Sequence, residues 1–358
     1  MPVSAIDAIS PAFQHTKQQL FQPFRAGQWT RLALVGLLAG ELTTGSCNSF
    51  NTHVQAPRHP QQLVAAPLPN IDPGLLVLLV AFLLTLGFVF WLLFLYINSV
   101  MRFILFDSVI ERNCRIRAGW NRRQGPGLRY FVWQILFTLA IAAGFVILIA
   151  FPAALAFAAG WLTKPKEHLP LLILFGMLLF LVILACGLLA AVILVFTKDF
   201  VVPQMAIEDL SAFQAWARLL RMLDSEKGPY FGYVLMKIVM ALGVGIVVGI
   251  LTTVVILVTL IPIGGLGALF VFAGKAAGFS WNLYTITVVV VVGCIVLAAI
   301  LYIVSLVSVP AMVFFPAYAI YFFASRYPAL DALIHPAPAS PLPMPAVTPL
   351  QPEVTGSG

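Results

Sequence analysis

Charged residues are scarce in this 358-residue sequence: Asp, Glu, Lys and Arg together make up 9% of it, against about 25% in an ordinary soluble domain. The hydrophobic fraction is 61% and the mean hydropathy is +1.01. Polar side chains are too few to cover a water-facing globule of this size. The medium that surrounds the protein must therefore be lipid. The scarcity excludes a soluble enzyme, a disordered protein and a nucleic-acid-binding domain, despite a net charge of +7.

Cysteine and catalytic motifs are also scarce. The sequence has no Walker loop, no Gly-x-Ser-x-Gly turn, no His-Glu-x-x-His helix and no Cys-x-x-Cys pair. Cys47, His53 and His59 could hold a metal in principle, but their spacing matches no recognised site. We therefore expect no enzyme activity, no catalytic residue, no cofactor and no metal. The four cysteines are too scattered along the chain to form a disulfide framework: Cys47, Cys114, Cys186 and Cys294.

Long runs without charge are what the sequence does contain. A bilayer core about 30 Å thick needs roughly 20 apolar residues in a helix, and backbone groups in lipid must bond within their own segment. An all-α polytopic transmembrane bundle is therefore predicted. Five runs exceed the required length: Pro73 to Met101, Tyr130 to Thr163, Leu169 to Thr197, Ile238 to Gly274 and Ala276 to Ser325.

A sixth, weaker segment runs from Gly27 to Ser46 and contains Arg31 and Glu41. If it spans with the N-terminus inside, sixteen Lys and Arg residues lie on the inner side and four on the outer side. That asymmetry fits the positive-inside rule. We therefore predict six spans, with both termini cytoplasmic, in what we expect to be a bacterial inner membrane.

Prolines make two of the runs irregular. Pro262 precedes a glycine-rich stretch from 263 to 274, which is either an apolar loop or a re-entrant segment. Pro310 and Pro316 are predicted to divide the last run into a span ending near Val309 and a separate helix ending near Ser325.

Amphipathic segments are predicted on the cytoplasmic side. Between 209 and 223, apolar residues recur every three or four positions opposite Arg218 and Arg221, with Asp209 or Ser211 as the helix cap. A similar stripe lies near the N-terminus, and both could contact either lipid or protein. The loop from 111 to 129 is strongly basic. Anionic lipid headgroups are the expected partners of these segments, through Arg112, Arg115, Arg117, Arg122, Arg123, Arg218 and Arg221.

The chain divides into three predicted parts: an interfacial segment at 1–26, a transmembrane domain at 27–325 and a proline-rich disordered tail at 326–358. A weak internal repeat also occurs. Phe103, Glu111, Trp120 and Tyr130-Phe131 are echoed by Phe200, Glu208, Trp216 and Tyr230-Phe231. Either a duplicated hairpin or chance similarity in a low-complexity chain accounts for it.

Ionisable residues near membrane depth are the best pointers to function, because burying one is costly unless it is paired or hydrated. Five candidates stand out: Glu41, Arg102, Asp107, Asp199 and Lys237. An Arg102–Asp199 pair would tie two spans together. All except Glu41 could also be rim charges in water, and Glu41 is predicted to face the bundle or the outer headgroups.

Three segments resemble a known family: SVMRFILFD at 99–107, KDFVVPQM at 198–205, and WTRLALVG at 29–36 followed by Glu41. The family consists of prokaryotic integral membrane proteins and is similar to the membrane domain fused to some glycerophosphoryl diester phosphodiesterases. The resemblance covers about residues 10 to 330 and implies a six-helix membrane domain with no catalytic residue. The phosphodiesterase barrel itself would need about 200 or more soluble α/β residues, which this sequence lacks.

Two functions follow as hypotheses. The first is a non-catalytic membrane module that acts as a scaffold, an accessory subunit or an organiser of lipid and of membrane or cytoplasmic protein partners. The alternative is a transporter or channel, which the possible repeat, the proline-containing spans and the glycine-rich stretch after Pro262 favour. Because few polar residues lie deep in the predicted spans, its substrate would be hydrophobic or lipid-like.

Overall fold

The computed structural model describes residues 3–41, 73–161, 168–276 and 283–335, and no strand occurs in these four ranges. Ten α-helices and one π turn, Thr197–Val201, account for most of these residues. The helices are α1 Ile9–Phe21, α2 Ala26–Leu38, α3 Pro73–Ile110, α4 Ile116–Ala158, α5 Leu169–Phe196, α6 Val202–Glu208, α7 Ala212–Ser225, α8 Lys227–Ala276, α9 Leu283–Ala324 and α10 Pro328–Ile334.

Five of these helices are long and apolar enough to cross a membrane, so the prediction of six spans is wrong for the described residues. The candidate spans are Gly74–Ile110, Ile116–Ala158, Leu169–Glu208, Lys227–Gly265 and Tyr284–Ala324. The predicted first span yields only α2, which has 13 residues. A helix of that length rises about 20 Å, which is less than a bilayer core.

Helix α2 lies beside the C-terminal part of α3. The Gln28 side chain donates to the Arg112 carbonyl at 2.8 Å, and Asn98 Nδ2 donates to the Leu38 carbonyl at 2.9 Å. These two bonds set the ends of α2 at the levels of Arg112 and Asn98. The helix therefore reaches partway along α3.

The five long helices alternate in direction and pack against one another mainly at one end of the bundle. We call this end the basic end because five arginines lie there: Arg112, Arg115, Arg117, Arg122 and Arg123. Here α3 meets α4, α5 leads into α7 and α8, and α9 meets α1. The first and last described segments also meet at this end, since Arg326 Nη1 donates to the Val3 carbonyl at 3.1 Å. The largest buried side chains of the protein core include Phe103, Tyr130, Phe200, Tyr230, Tyr233, Tyr318, Phe322 and Phe323.

Away from the basic end the long helices expose their apolar side chains. In four of the five candidate spans, the most apolar 18-residue window contains no buried residue. Side chains such as Phe82, Phe180 and Val258 are more than 60% exposed. Apolar surface of this extent is compatible with lipid as the surrounding medium, where helices need not pack to escape water.

Prolines do not divide the long helices. Helix α8 continues through Pro262 to Ala276, so the predicted loop or re-entrant segment is wrong. Helix α9 continues through Pro310 and Pro316, so the predicted division near Val309 is also wrong. A proline removes one backbone donor, but membrane helices tolerate this where neighbouring groups and small local adjustments satisfy the freed carbonyl.

The short helices pack at the basic end. Helix α7 begins after Ser211, whose hydroxyl accepts from the Gln214 amide at 3.3 Å while Gln214 Oε1 accepts from the Ser211 amide at 3.1 Å. This reciprocal capping box selects Ser211 over Asp209 as the cap. Helix α10 buries Leu330, so packing extends beyond Ser325, and the remainder of the predicted tail, 336–358, lies outside the described residues.

Candidate functional site

Four of the five predicted intramembrane charges come together in one place. Arg102 lies on α3, Asp199 lies in the π turn after α5, and Lys237 lies on α8. Glu41 lies just beyond α2 and completes the group with a residue that was not among the candidates, Lys198. We call these five side chains the charge cluster.

Glu41 and Lys198 form the first ion pair of the cluster. Lys198 Nζ donates to Glu41 Oε2, and the two side chains are only 13% and 3% exposed, respectively. Burial acts to raise the pKa of the Glu41 carboxyl, but Lys198 and Arg102 outweigh it and hold that pKa below its ordinary value. Glu41 is buried, as expected for the first of its two predicted positions, facing the bundle or facing the outer headgroups. Its position at the basic end, rather than at the opposite end, follows from the shortness of α2.

Asp199 and Lys237 form the second ion pair. Lys237 Nζ donates to Asp199 Oδ2, and the same oxygen accepts the Tyr233 hydroxyl at 2.9 Å. The ring of Tyr233 stacks on Tyr318 of α9 with centroids 5.1 Å apart. Since the Asp199 and Lys237 side chains are 4% and 11% exposed, neither is a rim charge in water. The predicted Arg102–Asp199 pair is wrong, because Asp199 pairs with Lys237 instead.

Arg102 is held by neutral groups. Its Nη1 donates to the Tyr130 hydroxyl at 2.5 Å and its Nη2 to the Ala39 carbonyl at 3.2 Å. Its Nε is buried and has no hydrogen-bond partner among the described residues. No carboxylate in the described part of the chain forms an ion pair with Arg102. With Arg102 included, the cluster contains three basic and two acidic side chains, and Arg102 is the basic one that forms no ion pair within it.

The π turn explains how neighbouring residues reach different partners. Thr197–Val201 interrupts the α-helical path between α5 and α6, and such turns occur often at functional sites. Within it, Lys198 reaches Glu41 beyond α2 while Asp199 reaches Lys237 on α8. Sequence reasoning missed Tyr130 and Tyr233. The spacing of Tyr233 and Lys237, four residues apart on one helix face, could have indicated the second.

A small cavity lies within the charge cluster, with a volume of about 30 Å³. Glu41, Arg102, Lys198 and Asp199 supply its polar wall. Its remaining wall is formed by Leu105, Phe106, Val202, Pro203, Pro316, Ala319 and Ile320. The cavity therefore combines a charged side with an apolar side that comes from three different helices.

Asp107 belongs to a separate group nearer the surface. Its Oδ1 and Oδ2 accept Arg123 Nη2 and Nε at 2.6 and 2.7 Å, and Oδ2 also accepts Arg122 Nη2 at 2.7 Å. Arg123 Nη1 additionally donates to the Ala206 carbonyl at 2.6 Å. This group fastens α3, α4 and α6 together. Arg123, whose side chain is 14% exposed, therefore contributes to packing between these helices.

The other predicted headgroup residues divide into two classes. Arg218 pairs with Glu208 at 2.6 Å and lies over the Tyr327 ring at 5.1 Å, and Arg122 shares Asp107 and Glu111. The second class is exposed and, within the ranges that the structure describes, makes no ion pair: Arg112, Arg115, Arg117 and Arg221. Headgroup contact therefore remains a prediction for these four above all.

The weak sequence repeat has a geometric counterpart. Phe103 meets Tyr130 edge-to-face at 5.9 Å and 83°, and Phe200 meets Tyr230 edge-to-face at 5.4 Å and 88°. Glu111 pairs with Arg122, and Glu208 pairs with Arg218. These matching contacts favour a duplicated hairpin over chance similarity. In the repeat, Arg102 corresponds to Asp199, so the two hairpins place opposite charges at equivalent positions.

Metal ligation finds no support in the described ranges, where no group of three His, Cys, Asp or Glu residues could hold an ion. The candidate group Cys47, His53 and His59 lies outside the described residues.

Comparison with known proteins places the chain in one family. A family model described as a family of unknown function, DUF7544, matches residues 3–333. The chain therefore belongs to that family. No curated protein and no solved structure matches the chain. The comparisons show no link to glycerophosphoryl diester phosphodiesterases, the second part of the resemblance given above.

Proposed function

We propose that this member of the DUF7544 family is a non-catalytic integral membrane module that organises anionic lipid and protein partners at its basic end. The observation that carries the proposal is the contrast between the two ends of the bundle. Packing is concentrated at the basic end, whereas the apolar windows of the spans are exposed. Such helices require lipid or another membrane protein as their cover.

The exposed arginines provide the second support. Arg112, Arg115, Arg117 and Arg221 are exposed. Each basic residue near an anionic leaflet contributes about 1 kcal/mol of attraction. Helix α7 also exposes Phe213 and Leu220, and α1 exposes Phe13 and Phe21. We infer that both helices lie in the headgroup plane, and that this plane is the cytoplasmic face of a bacterial inner membrane.

Lipid analysis tests this proposal. The full-length chain is purified in mild non-ionic detergent and the co-purifying anionic and zwitterionic lipids are quantified. We expect enrichment of anionic lipid, and a loss of roughly tenfold in that enrichment for an Arg115→Gln/Arg117→Gln variant. The matched control is Arg129→Gln/Lys227→Gln, which removes two exposed charges that already have acidic neighbours. Recovery of the bare chain, with no enriched lipid or partner, contradicts the proposal.

Sidedness has its own test. Reporter fusions placed after Trp120 and after Trp216 should both report the cytoplasm, because both residues lie at the basic end. Reporters on opposite faces of the membrane would overturn the proposed topology.

A second candidate function is transport of a hydrophobic or lipid-like substrate. The charged cavity beside the π turn favours it, because broken or irregular helices next to buried charges are typical of transporter sites. Against it, the cavity of about 30 Å³ is far smaller than a lipid. Flux of a labelled lipid across liposomes with and without the purified protein distinguishes the two functions.

A further inference from the structure

Among the described residues, the charge cluster contains one more basic side chain than acidic ones. Its two carboxylates, Glu41 and Asp199, each bind one lysine, and Arg102 is the third cation. Four members of the cluster, Glu41, Arg102, Lys198 and Asp199, line one cavity, and Lys237 joins them through Asp199. A guanidinium stays protonated in proteins. Counted with all five groups ionised, these described residues have a formal charge of +1.

Burying such a charge is expensive unless an opposite charge or water offsets it. The two neutral acceptors of Arg102, the Tyr130 hydroxyl and the Ala39 carbonyl, satisfy hydrogen bonds but supply no negative charge. Nε of the same side chain still lacks a partner among the described residues. Within the described ranges, Arg102 therefore has no anionic partner and its Nε has no acceptor.

The cavity is the place where both could be supplied. Arg102 and Lys198 line it together, and its volume of about 30 Å³ holds roughly two water-sized atoms. Two non-bridging oxygens of a phosphate group match that space, while the rest of the ligand would remain outside. Arg recognises phosphate through parallel N–H donors and Lys as a point charge.

We propose that the charge cluster binds one phosphate group, with Arg102 and Lys198 as its cations. A phosphodiester carries one negative charge and would give Arg102 the anionic partner that it lacks among the described residues. The group could come from a lipid headgroup or from free phosphate. The inference deepens the proposed function and depends on it for the presence of lipid at the basic end. The ion pairs of Glu41 and Asp199 keep those carboxylates engaged with their own lysines.

Thermal unfolding of the full-length protein in a neutral detergent tests the proposal. The probes are dihexanoyl phosphatidylglycerol and inorganic phosphate, each compared with chloride at equal ionic strength. We expect saturable stabilisation of the wild type. Arg102→Gln should weaken the apparent affinity by about tenfold or more, because it removes a charged hydrogen-bond donor. The matched control Arg129→Gln, which removes an exposed charge that pairs with Asp209 outside the cavity, should retain the affinity.

The two sources give different results. Stabilisation by the lipid alone assigns the site to a headgroup, and stabilisation by both probes assigns it to phosphate from either source. If Arg102→Gln does not fold, Arg102→Lys keeps the charge and Tyr130→Phe frees Nη1. Both variants should still respond to the probe.

Absence of any effect over chloride, or an unchanged affinity in Arg102→Gln, would overturn the phosphate site. Either result would leave the lipid enrichment by Arg115 and Arg117 standing, so the two proposals fail separately.

Discussion

Neutralising Asp199 is the sharpest test of the charge cluster. Asp199→Asn keeps the shape of the side chain and its ability to accept from the Tyr233 hydroxyl, but it removes the negative charge that Lys237 contacts. The cluster would then hold three cations and one carboxylate. Lys237, whose side chain is 11% exposed, would be left as a buried cation without its partner.

The expected cost follows from that burial. Removing one partner of a buried pair costs about 3–5 kcal/mol, because the remaining charge stays desolvated. The double variant Asp199→Asn/Lys237→Met removes both charges and should recover most of this loss. Unfolding of the purified protein in mixed micelles of rising sodium dodecyl sulfate content measures each free energy of unfolding.

Asp209→Asn is the matched control. Asp209 pairs with Arg129 at 3.1 Å, but the two side chains are 67% and 46% exposed, respectively. An exposed pair contributes about 0–1 kcal/mol. The left-handed backbone of Asp209, at φ 54°, accepts Asn readily. Equal costs for Asp199→Asn and Asp209→Asn, or a double variant no better than the single, would refute the reasoning.

Three further predictions concern the core and the short helices. Gly127→Ala should lower the free energy of unfolding by about 1–3 kcal/mol, because the added Cβ would lie 2.7 Å from Val100 Cγ2 and 3.2 Å from its Cα. The control Gly125→Ala, whose Cβ would have no neighbour within 4 Å, should be neutral or stabilising in the same unfolding assay. Ser211→Ala should cost about 1 kcal/mol by removing the cap of α7, and amide hydrogen exchange should rise in that helix first; unchanged exchange contradicts this. Burial lowers the pKa of His15 below its ordinary value, so the stability that the neutral ring contributes is present above the unfolded-state pKa and is lost as pH falls below it. His15→Gln should flatten that pH profile, and a profile identical to the wild type would rule out His15 as its source.

The all-helical character and the five long helices could be predicted from the sequence because charge-free runs above about 20 residues have few alternatives. The depth of the first segment could not. Its apolar part ends at Gly40, and only contacts such as Asn98 with Leu38 show that α2 stops partway along α3. The predictions that prolines would interrupt α8 and α9 were wrong because lipid offers no hydrogen-bond partners to the backbone. A helix that loses one hydrogen bond at a proline would lose more of them by unwinding.

Most residues of the charge cluster could be predicted from the sequence, but the ion pairs that they form could not. Few ionisable residues lie near membrane depth in the sequence, and burying such groups is costly. This combination identified four members of the cluster as candidates: Glu41, Arg102, Asp199 and Lys237. Which cation meets which carboxylate depends on how far α2 reaches and on the π turn, and neither has a sequence signature. Because α2 is shorter than a span, Glu41 lies within reach of Lys198 and not at the end of the bundle opposite the basic end.

The two hairpins that share the weak repeat carry unlike charges at one matching position. Phe103 and Phe200 are 97 positions apart, as are Glu111 and Glu208 and also Arg102 and Asp199 (199 − 102 = 97). At the last of these pairs the signs are opposite: Asp199 binds Lys237 of α8, whereas Arg102 donates to Tyr130 of α4. The two hairpins therefore supply unlike charges to the same cluster.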